Sequence, residues 1–440
     1  MKSWLEKISG ARGPELAACL WAFAYFFSLL AGYYVLRPIR DEMAIQVGRD
    51  QLHHLFTYVF VAMLVMVPVF GWLSSRFARR QMLPWLYTFC ALNLLGFYFL
   101  MQASGTQSRL LASSFYVWLS VYNLFAISVF WSFMADIFDT EQAKRLYGFI
   151  AAGGTTGALT GPTITASMVN VLGPKLLMAV SAAFLLIAII AIVQLRRWAA
   201  SQASGRENGQ ETGPVVTANS ILPGGDLREP AALGGSIWSG ITDLLRSPYL
   251  LGICLFLLCY SLLSTFLYFQ QVELLPQAIS DSARRTQLLA WVDLAVNIAT
   301  LLIQLLAFGT LIQRLGTPGM LVAMPVLSVF GFAAMAVSPV LATLLVFGAL
   351  RRAGEYAISK PARETLFNVL PADQKYKAKN VIDTLVHRGG DTLSSWLFNL
   401  LKGWRLSTTD MSWLSAVIAV FWSLGALWLG RRAQQMAKSS

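Results

Sequence analysis

Twelve apolar runs, each long enough to cross a bilayer as a helix, fall six before and six after a polar stretch near residues 197–247. A hydrocarbon core of about 30 Å needs about 20 mostly apolar residues in a helix, and ELAACLWAFAYFFSLLAGYYVL is the first such run. The runs place spans at 14–36, 52–74, 82–102, 109–134, 146–170, 175–195, 248–270, 287–312, 318–337, 339–360, 376–401 and 411–430. With 56% of residues hydrophobic and 13% charged, a soluble fold would carry more apolar surface than its interior could hide. Run length selects helices over a barrel. The expected fold class is an all-α integral membrane protein, twelve transmembrane helices in two pseudo-symmetric six-helix bundles, residues 1–196 and 248–440, joined by a linker over 197–247.

A formal charge of +12 from 34 basic residues raises the question of an anionic partner, and their placement answers it. On this span map about 24 lie on the side holding both termini and about 9 on the other, the bias that orients a membrane protein with that side cytoplasmic. The expected location is a bacterial inner membrane, multi-pass, with both termini cytoplasmic and the lipid bilayer itself as partner. No basic run interleaved with aromatics forms a nucleic-acid surface, so no nucleic acid is expected. Cys19, Cys90, Cys254 and Cys259 all sit in apolar runs without CxxC spacing or nearby His, which argues against disulfides and a metal site. No cofactor is implied, and a monomer is expected. The N-terminus lacks a short apolar core followed by a small-residue cleavage site, so the first span reads as an uncleaved insertion signal.

The linker, SQASGRENGQETGPVVTANSILPGGDLREPAALGG, is rich in Gly, Ser, Pro and charge and reads as a flexible tether. After it Ile237, Trp238, Ile241, Leu244 and Leu245 share one helical face. That spacing suits a short helix lying on the membrane surface, or simply a lead-in to span 7.

Between spans 2 and 3 the chain reads GWLSSRFARR, and between spans 8 and 9 it reads GTLIQRLGTP. Gly71, Leu73, Arg76 and Ala78 match Gly309, Leu311, Arg314 and Gly316, the trace an internal repeat leaves. GWLSSRFARR resembles the cytoplasmic loop signature of the major facilitator superfamily, with Ser75 in place of the usual acid. That loop reads as a gate: Gly71 lets span 2 approach a neighbour, and Arg76 pairs with Asp136 at the same end of span 4. Breaking and remaking the pair would bias inward-open against outward-open states. The alternative gives Arg76, Arg79 and Arg80 only an orienting role. In span 5, GFIAAGGTTGALTGP sets Gly153, Gly157 and Gly161 four apart, which clears one face for close helix packing. With Gly148 and Pro162 it resembles the superfamily's antiporter signature, although Thr165 and Ala166 stand where that pattern has two Gly. A Pro-kinked packing helix explains the same residues without transport.

Ionisable residues at membrane depth cost about 2.5–3.5 kcal/mol each on insertion scales and normally face a cavity. Span 1 ends YYVLRPIRDEM, with Arg37, Arg40 and Asp41 around Pro38, where a helix break is expected. Asp293, with Asn297 one turn on, suits a cation or proton site. Arg351 and Glu355 are spaced i, i+4 for an internal pair beside Arg352. Span 11 stacks Asp383, His387 and Asp391 at i, i+4, i+8 beside Arg388, an arrangement that relays protons or closes the bundle as an ion-pair network. Arg37, Arg40, Arg351, Arg352 and Arg388 together favour an anionic solute, because guanidinium forks match carboxylates and phosphates.

YYVLRPIRD, FWSFMADIFDTEQAKRLYGFIAAGG and KYKAKNVIDTLVHRGGD resemble segments of the nucleotide exchange transporters, the ATP/ADP antiporter family. The resemblance implies a twelve-span exchanger with Arg40, where the family has Lys, at the phosphate. Two positions depart from the family: an apolar stretch near Leu119 replaces an acid, and Asp391 stands where a Lys is usual. The expected function is a secondary antiporter of an organic anion, nucleotides among the candidates, with Arg40 and Arg388 contacting the substrate. The competing readings are a proton-coupled carrier with Asp293, Asp383 and Asp391 as coupling acids, and a non-transporting membrane sensor. With no HExxH, GxSxG or Walker loop present, an enzyme is not expected.

Overall fold

The computed structural model describes Glu6 and residues 9–13, 15–77, 79–104, 108–208, 244, 247–371, 378–379 and 381–439. Among them every regular element is helical. Of the expected surface helix at 237–245 only Leu244 is described, helical and buried; Ile237, Trp238, Ile241 and Leu245 lie outside the described residues, as do positions 209–243 of the linker.

The first helix, α1 (Glu15–Val47), runs without a break through Pro38, so the expected interruption there does not form. Proline removes one backbone bond, at a cost of about 3 kcal/mol. Leu36, Ile39 and Met43 around it are 0%, 0% and 1% exposed, and three such buried side chains contribute about 1.5–3 kcal/mol each. Burial wins. α2 (Leu52–Arg76), α3 (Arg79–Ser104) and α4 (Arg109–Ile137) come next. The stretch Thr140–Asn208 divides at Gly173, φ 74° and ψ 164°, into α5 (140–172) and α6 (174–208). Pro174 disfavours α geometry in the residue before it, and glycine takes the positive φ without a Cβ clash. α6 stays helical over 197–208, so the first part of the expected flexible linker is instead a helical extension.

α7 (Pro248–Ala278) begins with Ser247 accepting from the Leu250 amide (3.4 Å) and Pro248 in the first turn, a favoured N-terminal pattern. α8 starts at Ser282, capped by Asp281, passes a π-helical turn at Ile303–Ala307 and ends at Gly316, φ 60°; α9 covers 317–337. α10 is composite: Leu341–Gly354, a π-turn Glu355–Ser359, then Lys360–Thr365. In α11 a π-turn at Ile382–Val386 leads into His387–Gly403. α12 (Thr408–Ser439) closes the chain.

Eight helical stretches of the described residues are long and apolar enough to cross a membrane by length and composition. Two of these, Thr140–Gln202 and Ser282–Val337, each contain one of the glycine breaks. The expected spans 339–360 and 376–401 are not among the eight, because charged residues interrupt their apolar runs, Arg351, Arg352 and Glu355 in the first and Asp383, Arg388 and Asp391 in the second.

The chain divides into two compact units. The first comprises Met1–Gln46, Val61–Ala231 and Thr286–Trp291, the second Val47–Phe60, Ala232–Arg285 and Val292–Ser440. In the first unit α1 is the central helix, apolar on all sides and buried at Ala18, Tyr25, Leu29 and Val35. A Cβ at Gly153 would come within 2.5 Å of the Phe23 carbonyl, one at Gly161 within 2.6 Å of the Ala31 carbonyl, and one at Gly157 would overlap the Phe27 carbonyl. This glycine face is what lets α5 lie on α1. Hydroxyls add to the contact: Thr165 donates to Val35 O and Ser181 to Gly32 O, both at 2.9 Å. Residues 286–291 join this unit through Gln287, which donates to Ala166 O (2.7 Å) and accepts from Asn170 (2.8 Å).

In the second unit α12 lies along α9 and α7, with Gln270 donating to the Ser412 hydroxyl at 3.2 Å. Segment 47–60 belongs to it through Arg49, paired with Glu273 at 3.2 Å, and through Thr57, which accepts from the Trp396 indole at 3.0 Å. Glu273 also pairs with Lys402 at 3.2 Å.

Candidate functional site

In the first unit the polar group on α1 is compact. Arg40 directs Nε and Nη2 at one oxygen of Asp41, at 3.0 and 2.7 Å, and its guanidinium lies 5.1 Å from the centre of the Tyr116 ring. Arg37 stands 5.7 Å over Tyr34. Glu42, 1% exposed, accepts from Gln46 at 3.3 Å. Arg40 is thus charge-compensated by its sequence neighbour and held by an aromatic face.

The second unit carries a larger set on α7, α8, α10 and α11. Arg351, 5% exposed, donates to the Tyr260 carbonyl (3.2 Å) and to the Ser264 hydroxyl, with its guanidinium 5.0 Å from the Tyr260 ring centre. Among the described residues no ion pair within 4.0 Å joins Arg351 to Glu355, although Glu355 lies within its electrostatic reach. The Glu355 amide still bonds the Arg351 carbonyl, so the two keep α-helical spacing, and the guanidinium is drawn instead to Tyr260 and Ser264. Glu355 is 6% exposed, and its Oε2 has no hydrogen-bond partner among the described residues. Asp293, 2% exposed at its side chain, forms a hydrogen-bonded ion pair with Arg352 of α10. Asp293 carries two expected roles, coupling acid or internal ion pair, and the pairing with Arg352 supplies a countercharge to the buried carboxylate.

The acid–imidazole–acid stripe of span 11 is also divided. His387 Nδ1 and Arg388 Nη1 reach Asp391 Oδ2 at 4.0 and 3.9 Å, whereas Asp383 faces Arg363 of α10 at 4.0 Å. The π-turn at 382–386 falls between Asp383 and His387 and shifts them out of α-helical phase. None of these separations is a hydrogen bond, and among the described residues no hydrogen bond joins the three side chains. The His387 ring stacks near Tyr260, centroids 5.9 Å apart, and Ser261 donates to the His387 carbonyl at 3.3 Å.

The gating residues lie at helix ends. Arg76, Asp136 and Arg314 are solvent-exposed. A Cβ at Gly71 or Gly309 would meet nothing within 4 Å, so Gly71 itself does not make the close approach expected of it, although Phe70 beside it packs on Phe125 of α4 with ring centres 4.9 Å apart. Pro162 lies inside α5, whose only non-helical residue before α6 is Gly173.

Sequence reasoning missed Tyr260, Arg363, Tyr116 and Glu42. Tyr260 and Tyr116 look like ordinary core aromatics in apolar runs. Arg363 fell beyond the expected end of span 10, although α10 carries on to Thr365. Glu42 was detectable as an acid following the RPIRD turn, once that segment is known to stay helical.

Membrane-length helices in both units, with buried carboxylates in each and buried guanidinium groups in the second, describe a multi-pass membrane protein. The chain belongs to the major facilitator superfamily, whose profile matches residues 16–354. No curated protein matches. Solved structures of similar fold include an auto-inhibited POT family peptide transporter at 15% identity, TM-score 0.58, covering 95% of this chain and 96% of that one. A bacterial homologue of the iron transporter ferroportin in an inward-facing state is 14% identical, TM-score 0.61, covering 95% and 98%. The nucleoside transporter NupG is 12% identical, TM-score 0.57, covering 97% and 100%. At these identities the likeness is one of fold.

Proposed function

We propose that the chain is a secondary antiporter of an organic anion, working by alternating access in a bacterial inner membrane with both termini cytoplasmic. The observation that carries this is the set of guanidinium groups on α10 and α11 of one unit, Arg351 and Arg363 buried and Arg388 partly so. Buried guanidinium groups are costly unless they meet an anion, and they recognise carboxylate and phosphate through paired N–H bonds. Glycine and aromatic contacts around α1 and α5 supply the rigid packing against which such a carrier rocks. Among organic anions, nucleotides are supported by the YYVLRPIRD and KYKAKNVIDTLVHRGGD segments. The carboxylates of Asp41 and Asp391, beside Arg40 and Arg388, lower the net positive charge and favour a smaller anion over a triphosphate.

Liposomes holding the purified protein test the reading. Uptake of labelled ADP or of a labelled dicarboxylate that requires the same class of anion inside, and persists with a proton ionophore, is the expected result. Uptake that needs no internal anion and collapses with the ionophore would instead establish proton coupling. That second reading is favoured by one observation, the Glu355 carboxylate with an oxygen unbonded among the described residues.

A further inference from the structure

Arg363 is 8% exposed, yet it donates no hydrogen bond among the described residues, and its Nε is buried without a partner. The nearest carboxylate, Asp383, stands at 4.0 Å, outside the 2.7–2.9 Å range (roughly) of a charge-assisted hydrogen bond. Of the five N–H donors of a guanidinium, the one on Nε is buried without a partner, which is unfavourable, and Nη2 meets Asp383 only at 4.0 Å. Surrounding charges do not remove the imbalance. Arg363, Lys379 and Lys360 lie within electrostatic reach of Asp383 together with one further acid, Glu364, and Arg388, Arg363 and Lys360 lie within reach of His387. Lys379 is already bound to Glu364 at 2.8 Å.

We infer that Arg363, with Lys360 beside it, is a binding site for a soluble oxyanion, the phosphate or carboxylate group of the transported solute. The two side chains of the loose pair differ in freedom: Asp383 is 39% exposed at its side chain and Arg363 10%. Asp383 has solvent to turn toward and Arg363 has little, so in this proposal the carboxylate acts as a placeholder that an incoming oxyanion displaces. The π-turn at 382–386 sets Asp383 in that position. The inference rests on reading the chain as an organic-anion carrier and adds a residue that neither the spacing of the intramembrane charges nor the family segments indicated.

The placeholder makes predictions of opposite sign for two neighbouring substitutions. Inorganic phosphate is titrated against the purified full chain in detergent, with thermal stabilisation and calorimetry as readouts. Arg363→Gln should weaken phosphate binding about tenfold to a hundredfold, the worth of one charge-assisted contact. Asp383→Asn, which removes the competitor and keeps the shape, should tighten it severalfold. If Arg363 and Asp383 form only a structural pair, both variants melt lower without phosphate and bind it like wild type, and the inference is wrong. It is equally wrong if wild type shows no phosphate response. Nanodiscs of phosphatidylcholine and of phosphatidylglycerol separate a soluble anion from a lipid headgroup: an equal phosphate response in both supports the site, and its loss only in phosphatidylglycerol assigns Arg363 to lipid and overturns the proposal. Phosphate binding at Arg363 without exchange in liposomes would refute the antiporter reading alone.

Discussion

The Arg352–Asp293 pair makes the clearest quantitative demand on the structure, because its two ends are unequally buried. Asp293 is 2% exposed at its side chain and Arg352 26%. Replacing Arg352 with Met keeps much of the volume but leaves a carboxylate enclosed without its guanidinium, which should destabilise the protein by about 3–5 kcal/mol. Asp293→Asn leaves the charge on the partner that can reach polar surroundings through its long stem, and the loss should be about 1–2 kcal/mol. The double variant, Arg352→Met with Asp293→Leu, buries neither charge and should lie within about 1 kcal/mol of wild type. Unfolding in mixed micelles by added SDS, followed through the fluorescence of the 14 tryptophans, measures all three. Equal losses from the two single variants, or a double variant as damaged as Arg352→Met, would show that the asymmetry of burial does not govern this pair.

Gly157→Ala should destabilise by about 1–3 kcal/mol through overpacking against α1, whereas Gly71→Ala and Gly309→Ala, with open space around them, should be neutral or gain up to about 1 kcal/mol from helix propensity; the same SDS titration ranks them. Tyr25 donates to Tyr87 at 2.9 Å, and both are fully buried. Either single change to Phe should cost about 1–3 kcal/mol and the double change much less, since only the singles strand a hydroxyl; a double variant worse than both singles would refute this. Protease added to right-side-out cells should spare the 209–246 segment and added to inverted vesicles should cut it; cleavage from outside would reverse the proposed orientation.

The class of the fold was legible because it depends on run length alone: about 20 apolar residues have few alternatives to a membrane helix. The glycine face of α5 was legible for a similar reason, since small residues four apart have one plain use. The site was less so. Spacing rules assume an uninterrupted 3.6-residue helix, and they misplace Asp383 relative to His387 because a π-turn lies at 382–386. Such a turn has no compositional mark; it is held by tertiary packing, as where Gln304, itself in a π-turn, donates to the Tyr356 carbonyl in the next at 3.4 Å. Pro38 misled in the opposite way, because a local breaker was outweighed by burial on α1 that no local pattern records.

Each π-turn holds one residue more than the α-turn it replaces, and among the described residues all three lie in the second unit. A helix can take in one extra residue as such a turn without ending. Each such residue turns the stretch beyond it by about 100° and brings a different set of side chains to the interior. On that account, removing one residue from within 355–359 should be better tolerated for folding than removing one from the unbroken helix at 342–346, while it swings Arg363 off its present heading. The insertion that a sequence aligner would score as a gap is, for this chain, a means of re-aiming charge without changing a single charged residue.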